Sequence, residues 1–289
     1  MPVKTALSIV LPAKNESIGL TLVLPQLKEL YPDAEIIVVD DGSTDETAAI
    51  ASRYGVLVQS HPYSKGNGAS IKTGARVATG NIIVFMDGDG QHKPEDIPRL
   101  LAEMDAGYDM VVGARTKDSQ ATVGRGLANR FYNWLSSKLV GHQIQDLTSG
   151  FRVVKAKKFK EFIYLLPNGF SYPTTSTMAF FRAGYSVAYV SIKAGQRQGV
   201  SHINIARDGL RFLLIIFKVG TLYSPLKLFV PISFTFFITG TGYYLYTYIV
   251  SGQFTNMSAL LFTTSLLVFL MGLISEQITS LLYSKSNEK

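Results

Sequence analysis

The sequence contains no cysteine among its 289 residues. Disulfide bonds, zinc–thiolate sites and thiol nucleophiles are therefore excluded, which leaves carboxylate, amide or imidazole groups as ligands for a metal ion. We also expect no export signal. The first apolar run, ALSIVLP, is only about seven residues long and ends at Pro12 and Lys14, without a small-residue cleavage pattern. We interpret this run as a first β-strand.

Apolar residues, by contrast, are abundant. They make up 47% of the chain, and the mean hydropathy of +0.18 is high for a wholly soluble protein, so a membrane part is expected. Lysine and arginine total 28 against 21 aspartates and glutamates, which gives a formal net charge of +7. This excess indicates an anionic partner. Nucleic acid is disfavoured because the basic residues cluster near the apolar C-terminal segments rather than among exposed aromatic residues.

Short apolar runs alternate with amphipathic stretches of helical length between Ala6 and Ala114. The runs ALSIVLP, EIIVVD, NIIVFMD and DMVVGA are unbroken, as expected for strands covered on both faces, and predict an α/β domain with a largely parallel sheet. Ser43 and Glu46 form a predicted capping box that opens a helix ended by Gly55. Acidic clusters follow two of these strands, at the edge where ligands bind in open α/β sheets.

The character of the sequence changes after about residue 202. Arg207, Arg211 and Lys218 share one side of an otherwise apolar helical pattern, which predicts a helix lying in a membrane interface. An ordinary core-packing helix is the alternative for this stretch. The predicted division of the chain is a domain at 1–202, an amphipathic helix at 203–223 and a membrane hairpin at 224–289.

Two long apolar segments, at about 226–250 and 259–283, fit transmembrane helices. Lys227 is the only charged residue in the first segment, and Glu276 lies toward the far end of the second, where we expect it to be solvated. The connecting residues are uncharged while lysines flank the outer ends, so the positive-inside rule places both termini and the N-terminal domain in the cytoplasm. A homo-oligomer assembled through such hairpins is compatible with this arrangement.

The stretch MDGDGQH places two aspartates one residue apart at the end of an apolar run. In an extended chain alternate side chains project to the same side, so Asp87, Asp89 and Gln91 would converge three oxygens on one hard cation such as Mg²⁺ or Mn²⁺. Gly88 and Gly90 would let a ligand approach the backbone closely. A plain acidic turn is the alternative, since aspartate and glycine are common in turns.

Further motifs along the chain give this acidic stretch a context. In order, they are LPAKNES, IIVVDDGSTDET, SKGNGASIKTGARVATG, NIIVFMDGDGQHKPEDI, GAR, DLTSGFRVVK and RQGVSH. Together they resemble the inverting family-2 glycosyltransferases, and within these the polyprenyl-phosphate sugar transferases of the dolichol-phosphate mannose synthase type. The resemblance covers about residues 4–205. It implies a GT-A fold, a nucleotide-sugar donor, a polyprenyl phosphate acceptor and a divalent metal ion, Mg²⁺ or Mn²⁺.

For the donor, the resemblance implies a nucleotide site at the ends of the first strands. The candidate residues are Pro12, Asn15, Glu16, Asp40, Asp41, Lys65 and Asp87. Asp40 and Asp41 would accept hydrogen bonds from the base and the ribose, with capping of the following helix as their alternative role. A plain loop is the alternative for SKGNGAS, which contains Lys65. Asp87, Asp89 and Gln91 would form the metal site.

For the acceptor, the chemistry of a phosphate monoester matters. It is already ionised at neutral pH, so it attacks the anomeric carbon without the strong general base that an alcohol requires. Cations would position it, and the candidates are Arg115, Arg125, Arg197 and His202. Asp89 is also assigned a catalytic role, because it would be a ligand of the metal ion. Asp146 would orient the acceptor or a sugar hydroxyl, or else stabilise its own turn with Ser149. We interpret Arg152 as solvated or structural.

Other functions stay open from the sequence. Transfer to a diacylglycerol, a sphingoid lipid or a growing glycan would need a general base, for which Asp146 is the first candidate. A non-catalytic membrane subunit that binds nucleotide sugars is a further alternative. Lys14 stands where relatives often carry an aromatic residue, so the choice between uridine and guanosine donors is open, and His202 stands where lysine is common.

Overall fold

The computed structural model describes residues 6–116, 123–169, 171–193, 195, 214, 217, 220–221 and 224–284. These fall into two compact units, one within Met1–Leu135 and His142–Leu213 and the other within Ser136–Gly141 and Leu214–Lys289. Of the predicted amphipathic helix, the cations Arg207, Arg211 and Lys218 lie outside the described residues. The predicted division at 203 and 224 therefore stays a prediction.

The first unit is an α/β domain. Its strands are β1 (Leu7–Ala13), β2 (Glu35–Asp40), β3 (Leu57–Ser60), β4 (Ile82–Phe85), β5 (Met110–Arg115), β6 (Arg152–Lys155) and β7 (Val187–Ile192). Its helices are α1 (Ser17–Leu30), α2 (Thr47–Arg53), α3 (Asn67–Val77), α4 (Ile97–Asp105), α5 (Val123–Val140), whose last residues belong to the second unit, α6 (Ala156–Lys160) and α7 (Tyr172–Arg182). Single 3-10 turns lie at Pro94–Asp96 and Ile163–Leu165.

Within the described residues, the strands form one sheet in the order β3-β2-β1-β4-β6-β5-β7. The pairs β1/β2, β1/β4, β2/β3 and β5/β7 are parallel, whereas β6 runs antiparallel to both of its neighbours. The expected α/β architecture with a largely parallel sheet is confirmed, and the reversed β6 is the exception to it. The carboxyl ends of β1, β2, β4 and β5 consequently meet at one edge.

Both faces of β1 are covered, which explains its unbroken apolar run. Ile9 and Leu11 of β1 belong to one core cluster with Leu20 of α1. On the other face, Val10 lies against Gly74 of α3, so closely that a Cβ at position 74 would collide with the valine side chain. This two-sided burial is typical of parallel strands in α/β domains.

The helix after β2 begins later than predicted. It starts at Thr47, and Ser43 does not cap it, because the Ser43 hydroxyl oxygen accepts a hydrogen bond from the backbone N–H of Asn15 at 2.9 Å. The Asp45 carboxylate takes over the capping role and accepts the Thr47 N–H at 3.0 Å. The predicted end is confirmed: Gly55 has a φ of +66°, which a glycine adopts readily.

The second unit contains two long helices, α8 (Pro225–Ser251) and α9 (Asn256–Ser284). Both are long and apolar enough to cross a membrane. Their buried small residues recur every seven positions, as Ser233, Gly240 and Thr247 on α8 and as Ser258, Ser265, Gly272 and Thr279 on α9. A seven-residue repeat keeps one seam facing the partner helix, and small residues let the two backbones approach.

Polar contacts lock the two helices together. The Ser233 hydroxyl donates to the carbonyl of Ser265 at 2.9 Å, and the Ser265 hydroxyl donates to the carbonyl of Ser233 at 2.8 Å. The prediction that Glu276 is simply solvated is wrong, because its Oε2 accepts the backbone N–H of Leu226 at 3.4 Å. This carboxylate therefore joins α9 to the first turn of α8, where backbone N–H groups lack intrahelical partners.

The serine contact can be tested by cross-linking, since the chain has no cysteine of its own. The double variant Ser233→Cys/Ser265→Cys should form a disulfide within one chain on mild oxidation, because the two hydroxyl oxygens lie 3.2 Å apart. Peptide mass mapping measures the yield. The matched pair Ser233→Cys/Ser258→Cys should remain reduced, because Ser258 lies seven residues from Ser265, about 10 Å along the helix. A disulfide between chains in place of the internal one would contradict the hairpin contact.

Candidate active site

The acidic stretch forms a turn at the carboxyl end of β4. Residues 88 and 89 lie in this turn, so the alternation of an extended strand does not apply to Asp87, Asp89 and Gln91. The Asp89 Oδ1 accepts the backbone N–H of Gln91 at 3.0 Å. Asp87 and Asp89 are both half-buried. The turn thus presents two carboxylates at the sheet edge, and a metal site shared with Gln91 stays a prediction.

Two glycines allow this turn to pack closely against α1. A Cβ at Gly19 would collide with the carbonyl oxygen of Gly88, and a Cβ at Gly88 would lie 3.2 Å from the Leu20 side chain. Gly88 therefore allows close packing of the turn onto α1, and its predicted role in ligand approach stays a prediction. Gly90 has a φ of +76°, and apart from its chain neighbours no described residue lies within 4 Å of a Cβ built at this position, so it is the more open glycine of the turn.

His92 is a buried residue that contacts the acidic turn. It is 6% exposed, and its ring stacks on Phe151 with a centroid separation of 5.0 Å. Burial lowers the pKa of His92 to about 4, so the imidazole is neutral at pH 7. Its Nδ1 can then accept the backbone N–H of Asp87 at 3.3 Å. His92 is thus a buried support for the acidic turn.

The loop after β1 is tied to the loop after β2. Asn15 has a φ of +54°, and its Oδ1 accepts the backbone N–H of Thr44 at 2.8 Å. The backbone N–H of Glu16 donates to the Thr47 hydroxyl at 2.9 Å. Pro12 is buried within β1. These contacts bring the first two predicted nucleotide-binding loops side by side at the sheet edge.

Asp40 and Asp41, adjacent in sequence, have different surroundings. Asp40 accepts the Ser43 N–H through Oδ1 at 3.0 Å, and its Oδ2 accepts no hydrogen bond from the described residues. Asp41 is 4% exposed and accepts hydrogen bonds from His61, from the Ser64 hydroxyl and from two backbone N–H groups, those of residues 65 and 66. Its carboxylate is therefore committed to the protein, and only Asp40 keeps an oxygen for a ligand.

The pKa of Asp41 agrees with its commitment to hydrogen bonds within the protein. Burial alone would raise the pKa of Asp41, but the hydrogen bonds from His61, Ser64 and the backbone lower it to about 2. The His61 ring lies between Asp41, at 2.7 Å from Nδ1, and the Thr73 hydroxyl, at 3.0 Å from Nε2. The sequence reading missed His61, although a lone histidine directly after a strand was a signal for it.

The loop SKGNGAS is shaped by packing. A Cβ at Gly66 would lie 2.6 Å from the carbonyl oxygen of Asn168, and one at Gly68 would collide with that of Pro167. These glycines therefore allow contact with the segment at 167–169. The Lys65 side chain is exposed, with its ammonium 5.8 Å from the Tyr63 ring centroid. The lysine side chain is thus accessible to a ligand.

Arg115 and Asp146, predicted to have separate roles, bind each other. Nε of Arg115 donates to Oδ2 of Asp146 at 2.8 Å, and Nη2 donates to Oδ1 at 3.0 Å. Asp146 also accepts the backbone N–H groups of Thr148 and Ser149, which confirms its turn-stabilising role. Burial alone would raise the pKa of Asp146, but Arg115 and these donors lower it. The Asp146 carboxylate is therefore a poor general base.

The Arg115 guanidinium keeps a free side. Burial alone would lower its pKa, but the hydrogen bonds and charge of Asp146 raise it, so Arg115 stays charged. The side chain is 29% exposed, and Nη1 donates to no described residue. Asp146 thus fixes the orientation of a cation that can still bind an anion.

Arg152 is a structural residue, and it is fully buried rather than solvated. Its guanidinium donates to the carbonyls of Ser149 and Pro173, at 2.6 and 3.0 Å, and to the Ser176 hydroxyl at 2.8 Å. Among the described residues no carboxylate forms an ion pair with it. Burial lowers the pKa of Arg152, so the hydrogen bonds carry its stabilisation.

The remaining predicted cations lie outside what the structure describes. This applies to Arg197 and His202, and to the side chain of Arg125 in α5. Their roles stay predictions.

The residues present fit a divalent cation. Asp87 and Asp89 offer carboxylate oxygens, which are the ligands that Mg²⁺ and Mn²⁺ prefer. Within the described residues no cluster of three or more histidine, cysteine, aspartate or glutamate residues could hold a metal. Two carboxylates without a closed protein cage suit a metal that takes further ligands from a phosphorylated substrate.

The commitment of Asp41 predicts a pH-dependent loss of stability. Asp41→Asn should lower the free energy of unfolding by roughly 1–3 kcal/mol at neutral pH, because an amide leaves buried donors unpaired. The folded pKa of about 2 lies below the unfolded value, so this contribution is present above about pH 4 and is lost as the pH falls toward 2. Urea unfolding followed by circular dichroism at several pH values measures it.

The exposed Asp105 provides the matched control. Asp105→Asn should change the unfolding free energy by less than about 0.5 kcal/mol at every pH. A penalty for Asp41→Asn that is the same near pH 3 as at pH 7 would contradict the assignment.

Two parts of the chain match family models of known proteins. Residues 8–163 match the model of Glycosyl transferase family 2, and residues 224–281 match a GtrB C-terminal hairpin. Glycosyltransferase AglJ of Haloferax volcanii is 27% identical over 97% of this chain and 96% of its own length. Polyprenol monophosphomannose synthase of Mycolicibacterium smegmatis is 27% identical over 68% of this chain and 80% of its own.

A solved structure shows the same fold. Glucosyl-3-phosphoglycerate synthase from Mycobacterium tuberculosis, in complex with Mn²⁺ and uridine-diphosphate-glucose, has a TM-score of 0.61 at 22% identity and covers 74% of this chain and 79% of that one. The predicted GT-A-type domain is thereby confirmed. Because the family model covers more than half of the chain, the protein belongs to glycosyl transferase family 2 and is a glycosyltransferase.

Proposed function

We propose that this enzyme transfers a monosaccharide from a nucleotide sugar to a polyprenyl phosphate, with inversion at the anomeric carbon. The observation that carries the proposal is the edge of the sheet. There the carboxylates of Asp87 and Asp89 follow β4, and the oriented cation Arg115 ends β5, with β6 between these two strands. The relationship to polyprenol monophosphomannose synthase supports a lipid phosphate as the acceptor.

The donor nucleotide would lie across the ends of β1 and β2. Asp40 has one carboxylate oxygen without a partner among the described residues, and it suits a ribose hydroxyl or a base N–H. Asn15 and Glu16 would form the wall of this site, and the exposed Lys65 would reach a phosphate. Asp41 would act indirectly, by holding residues 64–66 in place.

Asp87 and Asp89 would hold a Mg²⁺ or Mn²⁺ ion, with Gln91 as a further oxygen ligand. The presence of Mn²⁺ with uridine-diphosphate-glucose in the solved relative supports this assignment. When bound, the metal supplies positive charge that stabilises the departing diphosphate. The chain's own contribution is the turn, which His92 and Gly88 hold in one position.

The acceptor phosphate would be positioned by Arg115. Because Asp146 fixes two of its nitrogens, Arg115 can present Nη1 to an anion in a defined direction. The same pairing argues against an alcohol acceptor, since Asp146, the first candidate for a general base, has a lowered pKa and accepts at least three hydrogen bonds. Arg125, Arg197 and His202 would complete the anion site.

The hairpin supports a reaction at a membrane surface. Helices α8 and α9 are apolar over lengths sufficient to cross a bilayer, and a long-chain polyprenyl phosphate presents its headgroup there. Lys227 at the start of α8 favours a cytoplasmic location of that end and of the catalytic domain.

A transfer assay tests the proposal directly. The detergent-purified protein is incubated with a polyprenyl phosphate, Mn²⁺ or Mg²⁺ and labelled UDP- or GDP-sugars, one at a time, and label is counted in the organic phase. We expect label with one donor and its loss on addition of a chelator. Release of nucleotide without labelled lipid would point to a different acceptor. If neither labelled lipid nor free nucleotide is formed, the result would support a non-catalytic nucleotide-sugar-binding subunit.

The metal assignment has its own test. Asp89→Ala should reduce turnover by about 10²-fold or more, because a ligand to the charge-stabilising metal is removed. The unfolding midpoint should stay within a few degrees of wild type, since Asp89 is only half-buried and its carboxylate accepts a hydrogen bond from within its own turn. Asp105→Ala, which removes an exposed carboxylate from the end of α4, should keep full activity. Wild-type turnover in Asp89→Ala would rule out its role.

A further inference from the structure

A small polar cavity lies beside Asp87. Its volume is about 70 Å³, and Asn67 from the start of α3, Gly150, and Tyr172 and Thr174 from the start of α7 contribute to its lining. A Cβ at Gly150 would lie 2.8 Å from Oδ2 of Asp87, so a glycine is needed to let this carboxylate reach the cavity wall. The cavity is therefore continuous with the acidic turn.

Two oxygen atoms in its wall are buried and have no hydrogen-bond partner among the described residues. They are Oδ1 of Asn67 and Oγ1 of Thr174, and Thr174 is 0% exposed. The neighbouring hydroxyl groups are already engaged: Tyr172 donates to the carbonyl of Gly150 at 2.9 Å, and Thr148 binds Arg115. Because a buried polar atom without a partner costs about 1–3 kcal/mol, two of them around one cavity indicate a ligand that supplies the missing hydrogen bonds.

The backbone at this wall is also under strain. Ser171, which lines the cavity directly before α7, has a φ of +93°, a conformation that non-glycine residues rarely adopt. Strained residues of this kind persist where the surrounding structure holds them, often at ligand sites.

Charge and size define the ligand. Among the described residues that line the cavity, Asp87 alone carries a formal charge, so the lining offers no cationic side chain to hold a phosphate inside the cavity. A volume of about 70 Å³ holds a few water molecules or the hydroxyl-bearing edge of a ring, since one water needs roughly 15 Å³. The unpaired acceptor on Asn67 needs a donor, which a sugar hydroxyl group provides.

A second metal ion fits less well. The cavity has one carboxylate, and the described residues contain no group of three or more histidine, cysteine, aspartate or glutamate side chains that could hold a metal. A neutral ligand with several hydroxyl groups matches one carboxylate, one amide oxygen and one hydroxyl better than a dication does.

We propose that this cavity is the subsite that binds a hydroxyl-bearing edge of the transferred sugar, with Asn67 and Thr174 as the residues that select among sugars. The inference rests on the proposed function, because it takes the donor to be a nucleotide sugar whose diphosphate lies near Asp87. The Thr174 hydroxyl and the Asn67 amide oxygen hydrogen-bond the sugar and take no part in bond making or breaking.

The test compares nucleotide sugar with nucleoside diphosphate. For the full-length protein in detergent, calorimetry measures the affinity of UDP, GDP and their hexose conjugates. Thr174→Val keeps the side-chain shape but removes the hydroxyl. It should weaken binding of the preferred nucleotide sugar roughly three- to tenfold and leave the affinity for the corresponding nucleoside diphosphate unchanged. Thr175→Val is the matched control, since Thr175 is equally buried in the same helical turn but does not line the cavity.

Deoxy analogues of the donor locate the contact. Removing the hydroxyl that occupies the cavity should weaken binding to wild type by the same factor and should have little further effect in Thr174→Val. Additive losses for every deoxy analogue, or equal losses for nucleoside diphosphate and nucleotide sugar, would overturn the subsite while leaving the proposed function intact. If wild type binds nucleoside diphosphates but no nucleotide sugar, the subsite and the proposed function both fall.

Discussion

The buried guanidinium of Arg152 is the constraint on which the candidate site depends. A charge without a carboxylate partner is tolerated inside a protein only when its donors are hydrogen-bonded, and Arg152 meets this condition through the carbonyls of Ser149 and Pro173 and the Ser176 hydroxyl. The first contact fixes the turn that carries Asp146 and hence the orientation of Arg115. The second and third fix the start of α7, whose Thr174 lines the cavity beside Asp87.

This dependence also explains why β6 is antiparallel in a sheet that is otherwise parallel. Arg152 is the first residue of β6 and pairs with Phe85 at the end of β4. Because β6 runs opposite to β4 and β5, the turn before β6 lies at the carboxyl ends of those two strands, next to Arg115. A parallel strand in the same position would bring its last residues to that edge instead, and Asp146 would not reach the arginine.

The parts of the structure that depend on local sequence were predictable, and those that depend on distant hydrogen bonds were not. Unbroken apolar runs are a local signal, and they identified β1, β2, β4 and β5 and both long C-terminal helices. Asp41 could not be separated from Asp40 by sequence, because its donors lie 20 to 25 residues away along the chain. The capping box failed for the same reason, since Asn15 binds the Ser43 hydroxyl from a distance of 28 residues.

The hold of Asp41 on residues 64–66 has a consequence for ligand capture. Ordering a loop costs roughly 1–2 kcal/mol of conformational entropy per residue, and here that cost falls on folding and not on each encounter with a ligand. A nucleotide arriving at this side of the sheet meets a surface that is already in place. Differences in affinity between nucleotides should then reside in how long each stays bound, while all of them associate at similar rates.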